Sequence, residues 1–306
     1  MGEGDLDARV RMLAFEFLDR QTQVHGDVLP YAVLTAGFEF EGTRVPLLGP
    51  QGIFKPKVLP EIPLSITTAP VVEGKQRPYD DELDYDGMIR YRYRGTDPAH
   101  RDNVGLRLAM KKQIPLIYLF GLAKGEYMPI WPAFIVGDDP AALTFTVAVD
   151  EKRMIKLAGT PETPIDEDRR RYVTQHAKVR LHQQEFRLRV LRAYQNRCAI
   201  CRLRHQELLE AAHILPDWHP DGQPVLPNGL SLCQLHHGAF DRNILGIRPD
   251  LVIELRRDVL EETDGPMLQH GLQGFQGKKI WVPAKPVDKP DPERLEERYE
   301  MFKKAM

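Results

Sequence analysis

The sequence predicts an α+β protein in two parts: a β-rich first half, and a second part gathered around side chains of metal-ligand type. Three observations predict this. Short β-type runs punctuated by Gly and Pro fill residues 34–149. The chain's three cysteines all fall between positions 198 and 233, among closely spaced histidines. Helical periodicity appears at 5–24, at 174–196 and from 292 onward. A length of 306 residues fits two domains of ordinary size, and 42% hydrophobic content is enough to build both cores.

In chain order, residues 5–24 predict an amphipathic helix with Val10, Leu13, Ala14, Phe17 and Leu18 on one face. Strands are expected at 38–40, 64–68, 88–93, 114–120 and 143–149, with a short helix at 103–112. Alternation over 88–93 predicts one buried face and one that carries Arg90 and Arg92. A stretch rich in Pro, Thr and acids reads as a linker, which gives a first domain at 1–155, a linker at 156–175 and a second domain at 176–306. The helix at 174–196 turns Phe186, Val190 and Ala193 inward and feeds the cysteines. A strand at 251–255 and a charged helix from 292 close the chain, which shows no internal repeat.

Composition excludes some classes. No apolar run is long enough to span a membrane. The charged N-terminus lacks the apolar core of a secretory signal, so a reducing cytoplasm is the expected setting. Disulfides are disfavoured there, and three cysteines cannot all pair. A net charge of −2 does not by itself mark a nucleic-acid binder, but the distribution does. Arg169, Arg170, Arg171, Lys178, Arg180, Arg187, Arg189, Arg192, Arg197, Arg202 and Arg204 are opposed in that window only by Glu185. Such a basic approach suits a phosphate track, with Arg180, Arg187 and Arg189 as its leading candidates.

The ligand-type residues split into two sets. Cys198-x-x-Cys201 and Cys233-x-x-His236 are pairs at the spacing that wraps a tetrahedral zinc, a closed structural site. His213, Asn228, His237 and Asp241 remain. Singly, each has a plain explanation: a satisfied core histidine, a turn, a helix cap. Together, in this order and framed by the zinc pairs, they point to chemistry.

Over residues 183–247 these motifs resemble the HNH nucleases, whose ββα-metal core runs strand, loop, strand, helix. The resemblance implies that His213 activates water, that Asn228 holds the hairpin loop, and that His237 binds a catalytic Mg²⁺ or Mn²⁺ beside the structural Zn²⁺. Many members carry an aspartate as a second metal ligand directly before the first histidine. Here that position is Ala212, and Asp241, four residues past His237 on one helical face, is the expected substitute.

More loosely, the glycine-rich run at 47–54, Tyr85-Asp86-Gly87, the Arg/Tyr run at 90–95 and the runs at 115–118 and 127–130 resemble the SRA-like domains, SRA/PUA-like barrels that flip modified cytosine out of duplex DNA. The whole chain is similar to bacterial modification-dependent restriction endonucleases. That likeness implies double-stranded DNA carrying modified cytosine as substrate, and a homodimer to cut both strands. A flipped base needs flat side chains to stack on it and a polar group to read its edge, for which Tyr31, Tyr79 and Asp84 are the candidates. Two other readings stay open: a nuclease whose first domain reads sequence, phosphorothioate or structure, and a DNA-binding protein without activity.

Overall fold

Helix α1 (Glu3–His25) opens the chain and lays Val10, Ala14, Phe17 and Leu18 into a core, as their helical spacing dictates, with Leu13 partly covered. The structure, a computed structural model, describes residues 3–69, 88–149, 167–263 and 265–305. It divides into two units, Met1–Leu181 and His182–Met306.

The first unit is built on one mixed sheet. Its strands are β1 (Leu29–Pro30), β4 (Ile53–Phe54), β5 (Ser65–Thr68), β6 (Ile89–Arg92), β7 (Leu116–Ala123), β8 (Glu126–Asp139) and β9 (Thr144–Val149), while β2 (Phe38–Phe40) and β3 (Thr43–Val45) pair separately. The order is β4-β5-β7-β8-β9-β6, with β1 also pairing β8 and only β5 and β7 running parallel. Helix α2 (Tyr31–Ala36) follows β1, and α3 (Arg101–Lys112) precedes β7. Ile117, Leu119 and Trp131 of the sheet meet the apolar face of α1 in one core. Arg11 is buried beside that core, where Asp7 and the carbonyls of Pro63 and Pro115 accept its protons, so the guanidinium is fully paired.

Each expected strand is present within a few residues of its predicted place, and β6 alternates buried Ile89 and Tyr91 with more open Arg90 and Arg92. Strand β8 is the departure. It runs through Pro129 and Pro132, which a sequence reading excludes from the middle of a sheet. The register explains the tolerance of Pro132: Leu116 faces Ala133 while Tyr118 faces Ile130, so β8 carries one extra residue where Trp131 and Pro132 sit, and Pro129 faces Leu119 outside the ranges that pair with β1 and β9.

Of the expected linker, residues 156–166 lie outside the described residues. From Glu167 the chain is already helical, in α4 (Glu167–Ala193). Gln195 and Asn196 take left-handed backbone conformations that stop it.

In the second unit Phe186, Val190, Leu191 and Tyr194 of α4 are buried against β10 (Leu209–His213), β11 (Gly229–Cys233), β12 (Leu245–Ile247) and β13 (Ile253–Leu255). Strands β10 and β11 pair antiparallel with His213 opposite Gly229, and α5 (Gln234–Asp241) follows β11 directly. This is the strand, loop, strand, helix order expected. Two short helices, α6 (Arg257–Glu261) and α7 (Pro266–Gly271), come next. Last, α8 (Pro292–Lys304) is capped by Asp291, whose carboxylate accepts from the amides of Glu293 and Arg294. Arg298 of α8 stacks 4.7 Å from the Phe240 ring and donates to the Phe240 carbonyl at 2.5 Å, which ties α8 to the end of α5.

Candidate active site

The knuckle at Cys198 is shaped by backbone hydrogen bonds. The Cys198 amide donates to Leu203 O, the Arg202 amide returns to Cys198 O, and Arg202 adopts φ +66° to close the turn. The Ala199 amide donates to Ser231 O and docks the knuckle on β11. Cys198, Cys201, Cys233 and His236 thereby bring their ligand atoms within 4.8 Å of one another. The Cys201 and Cys233 sulfurs are 3.8 Å apart, and His236 Nδ1 lies 3.5 Å and 3.1 Å from the sulfurs of Cys198 and Cys233. Zinc–sulfur bonds of ~2.3 Å give tetrahedral edges of ~3.8 Å, so the donor set fits the ion. His236 Nε2 donates to Gly271 O at 2.9 Å, which fixes the tautomer that turns Nδ1 toward the sulfurs. The cluster is a Cys₃His site of zinc type.

His213 ends β10. Its ring stacks on Phe186 at 4.3 Å between centroids and 17° between planes. Nε2 lies 3.1 Å from Asp217 Oδ1, outside hydrogen-bond geometry, and is otherwise buried without a partner among the described residues. Burial pulls the His213 pKa below the ordinary imidazole value. Asp217 pushes it back, while the charge of His237 lowers it further. Asn228 is fully buried one residue before β11. Its Oδ1 accepts from the Leu215 amide at 2.9 Å, and its Nδ2 donates to Leu215 O at 3.0 Å and Gln223 O at 3.1 Å. The asparagine therefore fastens the segment that leaves His213.

His237 stands on α5 with Asp241 one turn on, and Asp241 Oδ2 lies 3.2 Å from its Nε2. On the other side of the ring, Nδ1 meets Glu210 Oε2 at 2.5 Å. Sequence reasoning singled out His237 and Asp241 but neither Glu210 nor Asp217, which the structure sets beside His237 and His213. Glu210 left a signal, as the lone charge in the apolar run Leu208-Leu209-Glu210-Ala211-Ala212. Asp217 left none in a loop rich in Pro and Asp. The Nε2 edge of His237 with Asp241 Oδ2 is a nitrogen–carboxylate pair that suits a hard divalent ion, while Glu210 meets the opposite edge of the ring.

The basic residues divide by what they touch. Arg187 is half-buried and donates to the carbonyls of Gln206 and Leu209, bracing the start of β10. Arg189 donates to Pro224 O, and Arg180 pairs with Asp27 while staying 59% exposed. Near the knuckle, Arg197 is held below the ordinary guanidinium value, chiefly by the charge of Arg204 and further by Arg202. That is like-charge crowding of the kind an anion relieves. The side chains of Arg169, Arg170, Arg171 and Lys178 are outside the described set.

A cavity of about 590 Å³ opens in the first unit, with Tyr31, Thr67, Tyr91, Arg92, Tyr93 and Tyr127 among its lining residues. Tyr31 and Tyr127 have ring centroids 6.4 Å apart, and Thr67 Oγ1 is buried there without a hydrogen-bond partner among the described residues. Tyr79 and Asp84, the other expected pocket residues, lie outside the described residues. Among the described residues no helix is long and apolar enough to cross a membrane.

Comparison with known proteins matches residues 198–248 to the HNH endonuclease family. No curated protein matches the chain. Among solved structures, the modification-dependent TagI restriction endonuclease aligns with 79% of this chain and 82% of its own, at 16% identity and a TM-score of 0.29, too slight a likeness to bear on fold or activity. The family match spans both zinc pairs, His213, Asn228, His237 and Asp241. The chain therefore carries an HNH endonuclease domain, and with it the activity of a DNA endonuclease.

Proposed function

We propose that this protein is a modification-dependent restriction endonuclease that hydrolyses double-stranded DNA containing modified cytosine such as 5-methylcytosine. In this reading the β-rich domain (1–155) detects the mark, and the domain from 176 to 306 cuts. The observation that carries the hydrolytic half is that the family-matched stretch ends β10 at His213 and packs against β10 the helix α5, which bears His237 and Asp241 side by side. In that role His213 takes the proton from the attacking water. Asn228 keeps the base aimed by holding the loop behind it, and Phe186 fixes the plane of its ring. His237 and Asp241 would hold a single Mg²⁺ or Mn²⁺, which when bound supplies charge stabilisation at the leaving oxygen. Zinc at Cys198, Cys201, Cys233 and His236 keeps β11 and the knuckle in place and takes no part in the reaction.

An HNH core grips mostly the phosphate backbone, so selectivity needs a second element. The tyrosine-lined cavity of the first unit supports that role. It offers flat faces for stacking at Tyr31 and Tyr127, and Thr67 Oγ1 lacks a partner that a base edge would provide. This is the part an SRA-like barrel would play. Arg180 and Arg189, with Arg187 bracing β10 between them, are the phosphate contacts of this reading, joined by Arg197, Arg202 and Arg204 near the knuckle. Cutting both strands with one site per chain calls for a homodimer.

The test is a digest of one plasmid prepared unmodified, methylated at cytosine and hydroxymethylated, with Mg²⁺ or Mn²⁺ in parallel. The expected result is cleavage of the modified plasmids only. Equal cutting of the unmodified plasmid removes the mark-reading role, and no nicking of any DNA with either ion removes the hydrolytic one.

A further inference from the structure

The imidazole of His237 is held on both edges, and the two contacts are chemically unequal. Glu210 Oε2 lies 2.5 Å from Nδ1, and Asp241 Oδ2 lies 3.2 Å from Nε2. An ionised carboxylate only accepts, so the shorter contact requires the proton on Nδ1. With a cation bound at Nε2 the ring is neutral, its one proton is the Nδ1 proton that Glu210 accepts, and Asp241 Oδ2, 3.2 Å from Nε2, lies within reach of the same ion.

The two carboxylates reach the ring from different elements: Asp241 from one turn on along α5, and Glu210 from the middle of β10. Glu210 also shares a strand face with Ala212, two residues along β10, so a carboxylate reaches α5 from that face although position 212 has none.

We infer that Glu210 is a positioning residue: it holds His237 in the Nδ1–H tautomer, so that Nε2 and Asp241 together present one divalent-cation site. The inference rests on the hydrolytic reading of His237 proposed above. Glu210 does not touch the ion. It acts through the imidazole, fixing its rotation and raising the donor strength of Nε2.

Mn²⁺ affinity, read by electron paramagnetic resonance on the zinc-loaded full chain, separates the alternatives. The variants are Glu210→Ala, Glu210→Gln, Asp241→Ala and His237→Ala. The second readout is the ring-nitrogen spectrum of ¹⁵N-histidine-labelled protein without manganese, with His237 identified from His237→Ala. Wild type is expected to bind one Mn²⁺ that both His237→Ala and Asp241→Ala abolish. Glu210→Ala is expected to weaken it about 10- to 100-fold and to move the His237 proton to Nε2. Glu210→Gln, whose amide oxygen still accepts from Nδ1–H, should keep the tautomer and recover most of the affinity. An unchanged affinity or tautomer in Glu210→Ala overturns the inference and leaves the hydrolytic reading standing. Loss of Mn²⁺ in Glu210→Gln as complete as in Asp241→Ala makes Glu210 a direct ligand and also overturns it. Absence of any Mn²⁺ site at His237 in wild type removes both.

Discussion

Replacing Asn228 by alanine removes three hydrogen bonds at once from a fully buried position: one accepted from the Leu215 amide and two donated to the carbonyls of Leu215 and Gln223. Each buried partner left unsatisfied costs about 1–3 kcal/mol, less where water or a second partner reaches it. The amide of Leu215 is the hardest to rescue, and the Gln223 carbonyl, beside exposed loop residues, the easiest. A total near 3 kcal/mol follows, concentrated in the loop between β10 and β11. The Asn228 carbonyl still accepts from the Ile214 amide, so β10 stays paired while the segment beyond His213 loosens. Native-state hydrogen exchange of peptides covering 214–228 reads this directly. A loss of 3 kcal/mol corresponds to about 100-fold faster exchange. Single-turnover cleavage should fall by about 100-fold or more, because the base loses its orientation while substrate contacts remain. Exchange within threefold of wild type, together with unchanged cleavage, would refute the assignment of Asn228 as the loop fastener.

Four further outcomes follow from the same geometry. A methyl group at Gly229 would stand 2.4 Å from Val190 Cγ2 and 3.0 Å from Phe186 Cζ, so Gly229→Ala should destabilise the second unit by about 1–3 kcal/mol, read by urea unfolding, and slow cleavage through the Phe186 ring that stacks on His213. Cys233→Ser should remove one equivalent of bound zinc, measured by atomic absorption, and with it folding free energy on the order of 10 kcal/mol; exchange protection over 198–248 should vanish while the sheet of the first unit keeps its own. Because burial lowers the His213 pKa, the base form is already dominant at neutral pH, and the acid limb of the cleavage profile should have its midpoint below 6.5. Asp217 opposes that shift, so Asp217→Asn should move the limb further toward acid; a limb that stays in place or moves toward base contradicts the assignment.

The second unit was the more legible part of the sequence, for a physical reason. Metal ligands and a loop-fastening asparagine are constrained by residue type and spacing, so Cys198, Cys201, Cys233 and His236 announce their own convergence. Glu210 was not found because its role depends on a contact across 27 positions, and local pattern carries no distance. In the first unit the period-two alternation marked β6, and the apolar stripe marked α1. Strand β8 was largely hidden, since proline statistics describe regular ladders and say nothing of a register that absorbs an extra residue at Trp131 and Pro132. The early start of α4 was masked by Pro161 and Pro164, which drew the linker too long, although the acids at 166–168 offered a helix start.

The central claim is that His213 is the base of a divalent-ion-dependent DNA hydrolysis. Single-turnover nicking of supercoiled, cytosine-modified plasmid by zinc-loaded wild type and His213→Ala, with Mn²⁺ present and DNA binding measured on the same samples, tests it most directly. The account predicts binding within a few-fold of wild type and a loss of cleavage of about 10²- to 10⁴-fold. Cleavage by His213→Ala at the wild-type rate would contradict it.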